Sequence, residues 1–379
     1  MKIETLLAQA GSRWDDKTGA ISMPIYQTAT FRHVGLGQST GYDYSRSINP
    51  TRQALEETMA KLDNGTRGFA FASGMAAIDC VLRLFKQGDC IALTEDPYGG
   101  TLRLFEKGYN NFGIKTVCID TSDLTAVQSC LASNVKAVFV ESPTNPLLKI
   151  ADIKAIAKLA KEHGALTIVD NTFCTPLLQK PLDLGADIVV YSASKYLSGH
   201  NDVVAGIAVV KEPTLAEQIR FFQNAVGAVL GPQDSWLVLR GLKTLPLRML
   251  KQQENAGVIA EWLSKHPRVK RVYYPGLANS PGRDLLGEQF TGYGAIISFE
   301  VDDPALVPEI LSNVKIFIFA ESLGGLESLI TFPAVQTHSD LPLETRERLG
   351  INDKLLRLSI GVEHIDDLIS DLSNVLGKK

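Results

Sequence analysis

No apolar run in these 379 residues reaches the about 18 uninterrupted residues that a membrane-spanning helix needs. Charge of one sign is missing too. Thirty-eight Lys and Arg stand against 42 Asp and Glu, a net charge of -4, which excludes a broad electrostatic footprint for nucleic acid or anionic lipid. Cysteine is sparse: Cys80, Cys90, Cys118, Cys130 and Cys174 are odd in number and form no CxxC pair, so reduced thiols are expected. The histidines, at 33, 163, 200, 266, 338 and 364, show no ligand spacing, and no metal site is expected. The nucleotide loop GxxxxGK[ST] does not occur. The opening MKIETLLAQAGSRWDD lacks the apolar run and cleavage site of a secretory signal, and a cytoplasmic protein is expected.

What is present is ordinary globular composition, 45% hydrophobic and 21% charged, in a chain long enough for about two or three domains. Apolar runs at 68–73, 90–96, 136–146, 165–171, 186–195 and 203–211 read as buried strands. Helix patterns at 74–88, where Gly88 is the expected cap, and at 151–164 lie between them. In the second, Ile153, Ile156, Leu159 and Ala160 share one face. Continuous apolar strands alternating with helices predict an α/β fold with a mostly parallel sheet covered on both faces. Helices over 232–265 and shorter strands beyond predict a smaller α+β domain. The expected division is an N-terminal arm over 1–60, a large domain over 61–245 and a C-terminal domain over 246–379. The polar segment GLGQSTGYDYSRSINPT (35–51) is too rich in Tyr and Arg for a passive linker and reads as a binding arm.

Polar residues stand where four of the apolar runs stop: Ser73-Gly74-Met75, Asn145, Asp170 and Ser192-Ala193-Ser194-Lys195. Strand C-termini of a parallel sheet share one edge, where α/β proteins bind ligands. A lysine there can form a Schiff base with a carbonyl compound, or be a plain surface lysine. Asp170, closing LTIVD, needs a partner if buried: a metal, a helix terminus or a protonated ring nitrogen. Taken with Lys195, the ring nitrogen suggests pyridoxal phosphate. Gly74 and Met75 at a helix start offer free N–H groups to its phosphate, and Ser192 and Ser194 offer hydroxyls. Tyr98, in DPYGGT, can stack on a planar ring or sit in a solvated turn. Cys174 reads as a packing residue, and His200 and His338 carry no derivable role.

Read in order, YDYSRSINPT (42–51), FASGMAAI (71–78), EDPYGGT (95–101), ESPTNP (141–146), VDNTF (169–173), SASKYLSGH (192–200), GPQDSW (231–236), ESLGGLES (321–328) and RLSIGVE (357–363) resemble the trans-sulfuration family of pyridoxal-phosphate (PLP) enzymes. The group holds cystathionine γ-lyases, γ-synthases and β-lyases. The resemblance implies the aspartate-aminotransferase-like fold (fold type I). It makes Lys195 the covalent anchor of the cofactor and catalytic base, with Asp170 on the pyridine nitrogen. Tyr98 is implied to stack on the ring and take part in proton transfer. Ser73, Gly74, Met75, Ser192 and Ser194 are implied to surround the phosphate. Tyr44 and Arg46 match residues that reach it from a neighbouring subunit, implying a homodimer as the catalytic unit and a homotetramer as the assembly. Arg357, Ser322 and Asn145 match residues near the substrate carboxylate or cofactor oxygen, and Arg103 and Glu321 match positions facing the distal end of the substrate. Ser194 stands where threonine is common, and Tyr191 where histidine is common.

Within the family, a carboxylate at the position of Glu321 favours γ-substituted substrates. The expected activity is therefore cystathionine γ-lyase, with release of sulfide from cysteine or homocysteine as a side activity. γ-Synthase or thiolase action on an O-acylhomoserine and β-lyase action are the alternatives. A PLP-binding homologue without catalysis is disfavoured because Lys195, Asp170, Tyr98 and Arg357 are all retained.

Overall fold

The computed structural model describes residues 1–11, 14–339 and 343–377. The chain begins with the short helix α1 (Ile3–Ala8), and the next helix or strand among the described residues is α2 (Pro50–Leu62). Asn49 caps α2 by accepting from the Thr51 and Arg52 amides, and Pro50 occupies the first helical position, where its missing N–H costs nothing.

The apolar runs form a seven-stranded sheet of β1 (Arg67–Phe71), β2 (Cys90–Thr94), β3 (Lys115–Ile119), β4 (Ala137–Glu141), β5 (Leu166–Asp170), β6 (Ile188–Ser192) and β7 (Gly206–Val210). Their order is β1-β7-β6-β5-β4-β2-β3. Strands β2 to β6 pair parallel, and β7 runs against both β6 and β1. The edge strand β3 is mostly exposed and lacks the buried signature, so the sequence pattern passes over it.

Helices cover both faces. On one side α3 (Gly74–Leu82), α4 (Gly99–Arg103) and α8 (Pro213–Val226) pack on Phe139, Ile168, Ile188, Val190 and Ala208. On the other, α5 (Leu124–Leu131) and α6 (Ile153–Glu162) pack on Val138, Val140 and Val169, while α2 and α9 (Pro232–Leu242) pack on Val189, Tyr191 and Val209. Consecutive strand residues thus point to opposite layers. Helix α7 (Thr175–Leu178) follows β5.

One helix expectation needs correction. The pattern over 74–88 predicts one helix, but α3 ends at Leu82, where Leu84 and Phe85 turn onto the core; Gly88 instead takes a left-handed conformation and donates its N–H to the Gly113 carbonyl. The helices expected over 232–265 are α9 and α10 (Leu245–Ser264), which meet at Lys243–Thr244, just before Pro246.

Helix α10 leads to a five-stranded sheet of order β10-β11-β12-β9-β8, formed by β8 (Val269–Tyr273), β9 (Ile296–Val301), β10 (Ile318–Phe319), β11 (Leu329–Thr331) and β12 (Leu355–Ser359). It carries α11 (Leu306–Asn313), α12 (Leu343–Leu349) and α13 (Ile365–Leu376). Apolar residues of α10, such as Met249, Ile259 and Leu263, join the core shared by the two sheets. Arg357 lies on the central strand β12, opposite Ser298 of β9 and Thr331 of β11.

Candidate active site

Strands β4, β5 and β6 end side by side: Glu141 is in register with Asp170, and Asp170 with Val190. Beyond these ends and beside the start of α3 lies a cavity of about 930 Å³, closed on its far side by Glu321, Ser322 and Arg357. Of the residues singled out in the sequence, Ser73, Gly74, Met75, Tyr98, Asn145, Asp170, Tyr191, Ser192, Ser194, Lys195, Glu321, Ser322 and Arg357 line it. Tyr44, Arg46 and Arg103 do not. Tyr44 and Arg46 are exposed on the arm, the Arg46 guanidinium 5.5 Å from the Tyr44 ring centroid and its Nε 3.4 Å from Asn224 Oδ1. Arg103 is exposed at the last residue of α4.

Lys195 lies three residues past β6, its amide bonded to the Ser192 carbonyl at 3.2 Å. Its Nζ donates to Ser322 Oγ at 2.9 Å. Burial, then the nearby Arg357 guanidinium, push the Lys195 amine down to about 8, against a smaller opposing pull from Glu321. Ser322 has φ +99, a conformation rare outside glycine, so the hydroxyl meeting the lysine sits on a strained backbone.

Arg357 is 2% exposed. Its Nη1 donates to Asn145 Oδ1 at 2.8 Å and its Nη2 to the Ser322 carbonyl at 2.9 Å, while Nε has no partner. Burial lowers its pKa to about 10, still well above neutrality, so the cavity wall carries a fixed cation. Two held nitrogens orient the planar fork, and the unpaired buried donor favours an incoming carboxylate.

At the strand edge, Asp170 Oδ1 accepts from the Thr172 amide at 3.0 Å and the Thr172 hydroxyl at 2.5 Å, and that hydroxyl accepts from the Ser192 amide at 2.9 Å. Burial raises Asp170, and raises Glu141 further, with the neighbouring Asp170 charge second among the causes. Two carboxyls on adjacent strands make a place where a cationic ring nitrogen is welcome. Glu141 also accepts the Tyr98 amide at 2.8 Å, which seats the half-exposed Tyr98 at the mouth of the cavity. The sequence reading passed over Glu141 and Thr172. Glu141 was discoverable, since it ends its strand as Asp170 does.

The start of α3 completes the site. Ser73 Oγ caps the helix by accepting from the Ala76 amide at 3.1 Å, leaving the Gly74 and Met75 N–H groups free for an anion. A Cβ on Gly74 would lie 3.1 Å from Ser192 Cα, so glycine keeps this cradle open. Ser194 is less free than its position suggests: its hydroxyl accepts from the Ala205 amide at 2.9 Å and donates to the Ala205 carbonyl at 3.3 Å. Pyridoxal phosphate fits these features: a lysine with a lowered pKa, a carboxyl lacking a cation beside it, and unpaired amides at a helix start.

A family model described as Cys/Met metabolism PLP-dependent enzyme matches residues 4–377. A cystathionine beta-lyase of Lactococcus lactis subsp. cremoris (strain MG1363) is 52% identical over 377 residues, covering 100% of this chain and 99% of the relative. A cystathionine gamma-lyase of Bacillus subtilis (strain 168) is 50% identical over 376 residues, covering 99% of each. The crystal structure of cystathionine gamma-lyase from Lactobacillus plantarum complexed with L-serine superposes with a TM-score of 0.95 at 49% identity, covering 99% of this chain and 98% of that one.

Proposed function

The chain belongs to the PLP-dependent enzymes of Cys/Met metabolism, and on that premise we propose that it is a cystathionine γ-lyase, splitting cystathionine to cysteine, 2-oxobutyrate and ammonia. The observation that carries this reading is Glu321: its carboxylate is on the cavity wall one residue from Ser322, close enough to Lys195 and Arg357 to act on the charge of both. A substrate whose α-carboxylate meets Arg357 presents its distal ammonium toward that carboxylate.

The bound cofactor supplies an electron sink for the pair left at the substrate α-carbon. Arg357 fixes the α-carboxylate through its unpaired Nε, with Asn145 and the Ser322 carbonyl holding the fork in plane. Lys195, its amine tuned to about 8, would remove the α-proton, give it up to the bound cofactor and, neutral again, take a β-proton, which frees the γ-sulfur. Ser322 Oγ accepts from that amine and steers it between the two carbons. Asp170 would hold the cofactor's ring nitrogen in its protonated form, and Tyr98, at the cavity mouth, would hold the ring and pass protons.

β-Elimination needs only the first proton transfer, so the β-lyase reading uses the same residues and is supported by the Lactococcus relative. The γ-synthase or thiolase reading replaces the thioether with an O-acylhomoserine and a thiol. Glu321→Gln separates the readings: γ-lyase action through Glu321 requires the ratio of 2-oxobutyrate to pyruvate from cystathionine to fall in the variant. An unchanged ratio would remove the support for it.

We also infer that Tyr44 and Arg46 act in the site of a second copy within a homodimer, itself the unit of a tetramer. The cations lining the cavity among the described residues are Lys195 and Arg357, and neither stands at the Gly74–Met75 amides as a phosphate counter-charge. An exposed arginine on an arm outside the cavity matches that need.

A further inference from the structure

Beneath the cavity, on the opposite face of the sheet, a chain of buried polar side chains crosses the same strand ends. Tyr191 donates its hydroxyl proton to Asp63 Oδ1 at 2.7 Å and accepts from Asn171 Nδ2 at 3.1 Å. Asn171 also donates to the Gln179 carbonyl at 2.9 Å and accepts from Gln179 Nε2 at 2.8 Å. That Nε2 reaches the Ser142 carbonyl at 3.2 Å. Asp63, Tyr191, Asn171, Gln179 and Ser142 are each at most 2% exposed. Asp63 Oδ2 has no partner at all.

The placement follows the strand pleat. Ser142, Asn171 and Tyr191 each adjoin a cavity residue in sequence: Glu141, Asp170 and Ser192. Neighbours along an extended chain face opposite layers, so Ser142 and Asn171 stand behind residues of the site, and Tyr191, which itself borders the cavity, carries its hydroxyl to Asp63 and Asn171. The ladder ends here, its last bond running from the Asn171 amide to the Val190 carbonyl at 3.0 Å. From there on, side chains tie the three ends together. A buried polar chain is a costly way to fill a core that aliphatic groups fill well, and hydrogen bonds in low dielectric fix angles that dispersion does not.

We propose that the Asp63–Tyr191–Asn171–Gln179 lace is a positioning device that sets the rotation of the β5 and β6 ends, and so the orientation of Asp170 and the Ser192–Lys195 turn toward the bound cofactor. The inference rests on the cofactor and not on which carbon–sulfur bond is cut. Burial pushes Asp63 up to about 7, which agrees with a carboxyl used for its hydrogen bonds more than for its charge.

The test compares holoenzymes of Tyr191→Phe and Asp63→Asn with the parent. Tyr191→Phe breaks the lace and is expected to weaken pyridoxal phosphate binding roughly 10-fold, the loss seen when a support behind a ligand-holding residue is removed. It should also change the visible circular dichroism of the bound cofactor, which reports ring orientation. Asp63→Asn keeps an acceptor for the Tyr191 hydroxyl and is expected to leave both readouts near parental values. If Tyr191→Phe does not fold, Gln179→Met must give the same pair of changes. A melting temperature that drops while affinity and circular dichroism stay parental would overturn the proposal and leave a purely structural network. A parent that takes up no pyridoxal phosphate would instead overturn the cofactor assignment, and the proposal with it.

Discussion

A lysine in water holds its proton until pH 10 or so and is a poor base at neutrality. Lys195 escapes that limit because burial and the fixed charge of Arg357 both disfavour its ammonium form, moving its pKa from 10.5 to about 8. Only the neutral amine attacks an aldehyde, so capture of pyridoxal phosphate by the apoprotein should accelerate as pH rises and level off above about 8. A stopped-flow pH series checks this; a rate still climbing steeply at pH 10 would place the lysine in an ordinary environment. Lys195→Ala should abolish covalent attachment and lower turnover by about 10²- to 10⁴-fold, read by borohydride trapping with mass spectrometry and by keto-acid release. At this scale the sequence was legible wherever an apolar run stopped at a polar residue, as at Asp170 and Ser192. It was not legible for Asp63, which lies 128 residues from its partner Tyr191. Nor does the sequence show that Ser194 spends its hydroxyl on the Ala205 backbone.

Among the elements, the junction of α3 with β7 sets the anion cradle. Gly206 opens β7 directly beside the α3 N-terminus, and a Cβ there would lie 2.0 Å from the Ser73 carbonyl oxygen and 2.7 Å from the Gly74 amide. Neither is a flexible side chain, so the backbone itself must move. Gly206→Ala should therefore cost about 1–3 kcal/mol of stability by overpacking and weaken cofactor binding as well. Thermal melts of the apoprotein and cofactor titration measure the two effects; a variant with parental values in both would show that this junction is looser than the geometry implies. Buried strands were readable because continuous apolar runs between Gly, Pro and Asp leave little choice. The end of α3 was not, because Leu84 and Phe85 continue the apolar content while the chain leaves the helix to place them. The run VKIFIFAES reads as a strand and β10 lies within it, but only Ile318 and Phe319 pair, and both are exposed.

For the whole molecule, the arm we propose to serve another copy would have a consequence no single chain displays. Arg46→Ala and Lys195→Ala each disable one contribution to a shared site, so mixing the two inactive variants under subunit exchange should restore up to about one quarter of parental activity, since random pairing gives half mixed dimers and each holds one intact site. Activity that stays absent in the mixture, with mixed dimers verified by native mass spectrometry, would contradict the shared site. The proposed choice of bond also belongs to this scale, since Glu321 and Arg357 come from the C-terminal part of the chain while Lys195 and Asp170 come from the large sheet and the turn that follows it. The most direct measurement is to incubate cofactor-loaded enzyme with L-cystathionine and identify the keto acid by mass spectrometry. The expected result is 2-oxobutyrate with cysteine; dominant pyruvate with homocysteine would contradict γ-lyase action and make the enzyme a β-lyase.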